Sequence, residues 1–221
     1  MLPFRHPSTI LIAGPTGCGK TQFLVQLLTA SSATISPPPE RIVWVYGEWQ
    51  PAYEELQARL GPDRIAFATN CNMEELYDTL NPQVRNLIVL DDQMESDTVR
   101  RSSASAASLA KFFTQGSHHR NLTVIYIVQN LFNQDKMMRT VSLNAHYMLL
   151  FKNPRDKSQI RTLAQQMYPT RVSFLIDAFN DATTEAYGYL LLDLRPETPD
   201  ELRVRTNVIP PQQMRIYTPF E

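Results

Sequence analysis

The run Gly14-Pro15-Thr16-Gly17-Cys18-Gly19-Lys20-Thr21 has the spacing G-x-x-x-x-G-K-[ST], and the chemistry of that pattern is phosphate binding. Its glycines let the backbone curl until consecutive N–H groups point at phosphate oxygens. A helix opening at such a loop adds the positive end of its dipole. In that arrangement Lys20 reaches the β- and γ-phosphates, and the Thr21 hydroxyl joins the shell of a Mg²⁺ ion. All eight residues from Gly14 to Thr21 are therefore candidate nucleotide-binding residues. The chain has only 7 glycines, and Gly14, Gly17 and Gly19 fall within six positions, so their placement is not a by-product of composition.

A second candidate lies at Leu87-Ile88-Val89-Leu90-Asp91-Asp92, four apolar residues followed by two acids. Such a strand lies beside the first in a nucleotide-binding sheet, with its carboxyl end turned to the ligand. Asp91 is expected to hold Mg²⁺, directly or through water. Asp92 is expected to polarise the attacking water, a role more often held by glutamate, and nearby Glu95 competes for it. A third apolar run, Val124 to Val128, ends in Gln129, whose amide is placed to contact the γ-phosphate or the water and so sense hydrolysis. An extra strand carrying such a sensor, between the phosphate-loop and Asp-Asp strands, separates hydrolytic motors from kinases and GTPases. No Asn-Lys-x-Asp guanine-reading motif occurs, which favours ATP over GTP.

These residues need a scaffold, and the hydropathy pattern describes one. Apolar runs predict strands at Ser8–Ala13, Arg41–Tyr46, Arg64–Ala68, Asn86–Leu90, Leu122–Val128, His146–Phe151, Tyr187–Leu192 and Leu202–Val208. Helical patterns fall at Lys20–Ala30, Ala52–Leu60, Met73–Leu80, Ala104–Thr114, Asp156–Met167 and Val172–Asp181. The alternation indicates an α/β fold, a mostly parallel sheet with helices on both faces. Length, 221 residues, and composition, 43% hydrophobic and 19% charged, suit one such domain. It is expected over 1–208, with a Pro-rich C-terminal tail at 209–221. Two cysteines, Cys18 and Cys71, are too few for a disulfide framework and point to a reducing compartment. His118 and His119 have no metal-ligand spacing with either. No apolar run approaches the roughly 20 residues that span a bilayer, and the first residues lack a signal-peptide core. A net charge of −1 gives no global basic field, so nucleic-acid binding requires a local patch.

Five segments occur in order: GPTGCGKT at 14–21, WVYGEWQPAY at 44–53, NLIVLDD at 86–92, GSHHRNLTVIYIVQN at 116–130 and NAHYMLLFKNPRDKSQI at 144–160. Together they resemble the FtsK/HerA class of P-loop ATPases, with its additional-strand (ASCE) sheet. Within the class the chain resembles the genome-packaging ATPases of poxviruses and their relatives, adintovirus and Polinton-type elements above all. The resemblance covers roughly residues 8–208. It implies a homo-oligomeric ring that hydrolyses ATP and pumps double-stranded DNA into a capsid, with a capsid or portal protein as a further partner and no membrane. It also implies a location inside a host cell, in cytoplasm or nucleus, or with the virion. Asp92 departs from the glutamate common in the family.

A ring completes each site with a neighbour's arginine, and such a finger can be worth ~10³–10⁵ in rate. Arg120, just ahead of the sensor strand, matches the family's basic position and ranks first, followed by Arg155 and then Arg139. Arg100-Arg101, Lys111 and the segment Lys136 to Arg139 are candidate DNA phosphate contacts. Glu48-Trp49-Gln50-Pro51-Ala52-Tyr53 either brings Glu48 to the phosphates or packs, and packing is favoured. The tail is a candidate for docking on a neighbour or a capsid protein. The competing readings are a P-loop kinase of nucleotides or small molecules, and a non-translocating ATP-dependent assembly switch.

Overall fold

The computed structural model describes residues 2–69, 72–91, 111–116, 120–131 and 136–219. In chain order its elements are β1 (Phe4–Arg5), β2 (Thr9–Ala13), α1 (Lys20–Thr29), α2 (Ser31–Thr34), β3 (Ile35–Ser36), β4 (Arg41–Val45) and α3 (Pro51–Leu60). Then come β5 (Ile65–Ala68), α4 (Met73–Thr79), β6 (Asn86–Asp91), a π-turn at Phe112–Gly116 and β7 (Leu122–Val128). The chain continues with α5 (Lys136–Leu143), β8 (Tyr147–Phe151), α6 (Ser158–Met167), α7 (Val172–Ala182), β9 (Tyr189–Asp193), β10 (Val204–Thr206) and β11 (Arg215–Tyr217).

Nine strands form one sheet in the order β11-β10-β9-β8-β2-β7-β6-β4-β5. From β8 to β5 all neighbours are parallel. The other edge, β8-β9-β10-β11, is antiparallel. Its links from β9 to β10 and from β10 to β11 are too short to hold a crossover, and short links force antiparallel pairing. The segment expected as a tail supplies β11, which pairs with β10 from Val204↔Tyr217 to Thr206↔Arg215. A separate pair, β1 with β3, was not visible as a pattern because each strand has two residues.

The central strands are buried along their whole length, so both faces carry helices. On one face Ile10, Ile12, Leu87, Val89, Ile125 and Ile127 pack under α1 and α3, through Phe23, Leu24, Leu27, Leu28, Tyr53 and Leu56. On the other, Leu11, Ile88, Leu90, Val124 and Tyr126 pack under α4, α5, α6 and α7. Helix α5 falls on a segment read from sequence only for its cations. Its Met138 and Val141, three apart, are both buried, the spacing of one helical face. The helix expected at 104–114 lies largely outside the described residues.

Candidate active site

The phosphate loop begins where β2 runs out. Gly14 N donates to Val128 O at 3.1 Å, one step past the last β2–β7 pair, Ala13↔Val128. A Cβ on Gly14 would lie 2.7 Å from both Cys18 Sγ and Phe151 Cβ, so no side chain fits. Gly17 and Gly19 hold φ of 78° and 102°, a region L side chains avoid. The loop then enters α1, whose first turn closes with Phe23 N donating to Gly19 O at 2.9 Å. Lys20 Nζ donates to Gly14 O at 2.5 Å and to Pro15 O at 2.9 Å, which arches the ammonium over the loop. Burial pushes the Cys18 thiol up even with Lys20 near. It is thus a protonated space-filler rather than a thiolate.

Strand register brings the other residues to the loop. β7 lies between β2 and β6, so the carboxylate strand is not hydrogen-bonded to the loop strand. The interposed strand is the one expected to carry the sensor. Asp91 pairs with Ile127, two residues before Gln129. Side chains alternate along a strand, so Asp91, Ile127 and Gln129 project to the face covered by α1 and α3. There they line a cleft of about 320 Å³ with Thr16, Gly17, Gly19, Lys20 and Thr21. Of the expected site residues, those of the loop from Thr16 to Thr21 other than Cys18, together with Asp91 and Gln129, thus share one cleft. Asp92 and Glu95 lie outside the described residues.

Two further residues belong to this site and were not singled out from sequence. Gln50, the residue before α3, lines the cleft. Tyr53, fully buried on α3, donates its hydroxyl to Asp91 Oδ2 at 3.3 Å. Burial and then the Asp91 charge push the Tyr53 phenol up, so the hydroxyl stays a donor. Its ring stacks on Phe67 at 5.2 Å and packs against Trp44, Tyr46 and Trp49. The segment 44–53 therefore packs, as favoured, while Glu48 is exposed. The local signal for Tyr53 was the aromatic density of that segment; its partner lies 38 residues away.

The candidate arginines separate. Arg120 precedes β7 and turns to α4, where it donates to Leu80 O at 3.3 Å, lies 3.6 Å from Asp78 and covers the Tyr77 ring at 4.9 Å. Lys111 rests on the same ring at 4.6 Å. Both are therefore remote from their own chain's cleft. Arg155 is exposed in the segment after β8 and borders a groove on the loop's other flank. Arg139 is exposed on α5. Arg100-Arg101 fall outside the described residues.

The donor set fits a hard divalent cation held with a polyphosphate. Asp91 is a carboxylate only 6% exposed, and Thr21 offers a hydroxyl across the same cleft. One carboxylate, one hydroxyl and otherwise water or phosphate oxygens is how Mg²⁺ is bound beside nucleotides. The flanking glycine-rich loop and helix start supply backbone donors for the phosphates.

No known family model matches the chain. Packaging protein 1 of human adenovirus C serotype 5 is 23% identical over 228 aligned positions, which cover 86% of this chain and 47% of that protein. The chain thus spans about half the length of this curated relative. Among solved structures, the genome packaging NTPase of Sulfolobus turreted icosahedral virus 2, in complex with ATPγS, matches over 99% of both chains with a TM-score of 0.50 and 13% identity. ATPases 2 and 3 of EssC from Geobacillus thermodenitrificans match 71% of this chain and 34% of that one, with a TM-score of 0.51 and 12% identity. The resemblance read from sequence, to packaging ATPases and their class, is borne out by these likenesses. The fold, an α/β fold with a mostly parallel sheet and helices, is similar to that of the viral packaging NTPase.

Proposed function

We propose that the chain is an ATP-hydrolysing motor that translocates double-stranded DNA and packages a viral or virus-like genome into a capsid. The observation that carries this is the convergence of Lys20, Thr21, Asp91 and Gln129 on one cleft, with β7 interposed between the strands of the first and second sites. That order supports the additional-strand reading expected of hydrolytic motors over the kinase reading. Support for the packaging role comes from the likeness to packaging proteins.

In this reading the loop from Gly14 to Thr21 cradles the phosphates by its backbone N–H groups, and Lys20 swings from its two carbonyls to the β- and γ-phosphates. Thr21 and Asp91 hold Mg²⁺, which when bound offsets charge on the phosphate oxygens. Asp92 orients and polarises the attacking water. The Gln129 amide reports whether the γ-phosphate is attached. Arg120 serves the site of the neighbouring subunit, so the working form is a ring of identical chains. Partners are double-stranded DNA and a capsid or portal protein, in the cytoplasm or nucleus of a host cell or with the virion. Among the described residues no helix is long and apolar enough to cross a membrane.

The test is ATP turnover with and without double-stranded DNA, across protein concentration, in the wild type and Lys20→Ala. Expected are DNA-stimulated hydrolysis that rises with assembly and its loss in the variant. Turnover indifferent to DNA at all concentrations would refute translocation, and turnover kept in Lys20→Ala would refute the site.

A further inference from the structure

The phosphate loop has a second flank. Opposite Asp91 and Gln129, loop residues 15–18, the segment 152–155 after β8 and the turn 183–188 between α7 and β9 enclose a groove of about 640 Å³. Thr16 and Gly17 line both this groove and the cleft of Lys20 and Asp91. The two hollows therefore meet across the loop.

One side chain in the turn stands out. Tyr187 is 71% exposed and sits at φ 64°, a backbone region that is an outlier for bulky residues. The turn is built to keep it there. Thr183 and Thr184 donate their hydroxyls to Phe179 O at 2.7 Å and Asn180 O at 2.9 Å. Gly188 N donates to Glu185 O at 3.1 Å, and a Cβ on Gly188 would lie 2.4 Å from Ala182 O. One edge of the ring rests on the loop, since a Cβ on Gly19 would lie 3.1 Å from Tyr187 Cδ1. Strained backbone that its surroundings over-determine is a pointer to function. Here it presents a broad aromatic face to solvent beside a phosphate site.

We propose that this groove receives the ribose and base of the nucleotide whose phosphates lie in the loop, with Tyr187 stacking on the base. The proposal rests on the ATP-binding reading above. With the γ-phosphate directed to Thr21, Asp91 and Gln129, the other end of the polyphosphate leaves across Thr16 and Gly17. The nucleoside then emerges on the Tyr187 flank. An aromatic platform stacks on any base, because every base has a π-face. Tyr187 accordingly gives affinity for nucleotides with little choice of base. Asn153 Oδ1 accepts from Arg155 N at 3.1 Å, which shapes the segment bearing the exposed cations Lys152 and Arg155. Their charge then lies along the path of the α-phosphate, so Arg155 acts on its own chain's nucleotide.

The test is calorimetric binding of ADP and of pyrophosphate, each with Mg²⁺, to the wild type, Tyr187→Ala and Tyr187→Phe. Stacking measured by alanine substitution is large enough to predict on the order of a tenfold or greater loss of ADP affinity in Tyr187→Ala. Pyrophosphate affinity should not change, and Tyr187→Phe should bind both as the wild type does. An equal loss for both ligands would overturn the proposal by showing that the ring only props the loop through Gly19. Unchanged ADP affinity in Tyr187→Ala would overturn it as well, including where only self-association changes by light scattering. If the wild type bound neither ligand, the nucleotide reading itself would fall. Binding of both ligands with a silent Tyr187→Ala confines the failure to the groove.

Discussion

Tyr53→Phe removes a single oxygen and tests whether Asp91 is the metal-facing carboxylate. The ring stays, with its stack on Phe67 at 5.2 Å and its contact with Trp44 at 5.0 Å, so thermal stability should change little. What goes is the donor that fixes Asp91 Oδ2 from a distance of 3.3 Å. Without it the carboxylate loses one of the contacts that orient it, and part of its ordering must come from the cation itself. Loss of a group that orients a metal ligand costs about 10–100-fold in metal affinity. A separation of 3.3 Å is long for an O–H···O bond, which places this one at the low end, about tenfold or ~1.4 kcal/mol. The assay is ATP turnover titrated with Mg²⁺. The half-saturating Mg²⁺ concentration should rise about tenfold, while kcat at saturating Mg²⁺ stays near wild type. An unchanged Mg²⁺ midpoint in a folded variant would refute the assignment of Asp91 to the metal, or of Tyr53 as the residue that positions it.

Asp193→Ala leaves Arg205 buried without its 2.7 Å partner; the expected cost is about 3–5 kcal/mol, read as a Tm lower by on the order of 10 °C. Replacing both residues, Asp193→Leu with Arg205→Met, should recover most of that, and no recovery would refute charge burial as the cause. His6 donates from Nε2 to Asn121 and accepts at Nδ1 from Thr123, and burial holds its pKa below 6.5. The unfolded chain therefore takes up the proton first, so stability contributed by neutral His6 is present above pH 6.5 and is lost as pH falls below it. His6→Gln should flatten that slope in urea melts run on both sides of pH 6.5, and an unchanged slope would exclude His6. Mixing Arg120→Ala with Lys20→Ala, each inactive alone, should restore part of the ATPase activity, since some interfaces join an intact loop to an intact arginine. No rescue in rings shown by light scattering to be mixed would remove Arg120 from the site.

The parts of the site that could be read in advance are those whose chemistry sits in consecutive residues. Gly14 to Thr21 is such a run, and so are Asp91 and Gln129 at the ends of apolar strands. The order of the main elements followed for the same reason, because five-residue buried runs such as Tyr147–Phe151 announce themselves by hydropathy alone. What escaped depends on contacts between distant residues. Tyr53 meets Asp91 only after α3 folds back over β6. Helix α5 has only eight residues, a shorter window than a helical period needs to stand out in sequence. β11 is three residues inside a Pro-rich segment, and its pairing is with β10 rather than with anything local. Tyr187 is another case: sequence placed it at the start of a strand, whereas β9 begins two residues later and leaves the ring in a turn over the loop.

The arginines show how geometry bears on a ranking made from sequence position and family resemblance. Arg120 and Arg155 were both candidates for the residue donated to a neighbour, because each flanks a strand of the nucleotide sheet. β7 runs from Arg120 towards Gln129, and nine residues of extended chain span roughly 30 Å. Arg120 therefore stands at the amino edge of the sheet while the phosphate loop stands at the carboxyl edge. The amino edge is held by Asn86, whose side-chain amide donates to Asn81 O, Val84 O and Arg120 O, so the Arg120 backbone does not drift towards the cleft. If Arg120 touches a γ-phosphate, that phosphate belongs to another subunit. Its ion pair with Asp78 spans 3.6 Å to a carboxylate that is 74% exposed. Exposed pairs of this kind are worth ~0–1 kcal/mol, so the ion pair adds little to the Leu80 O and Tyr77 contacts that hold the guanidinium on α4. Arg155 has the opposite placement, beside Pro15–Cys18 of its own loop, where a cation serves the chain that carries it. In the proposed ring the two arginines would divide the work, one within the subunit and one across the interface, and only the Arg120 variant should then be rescued by a partner with a defective loop.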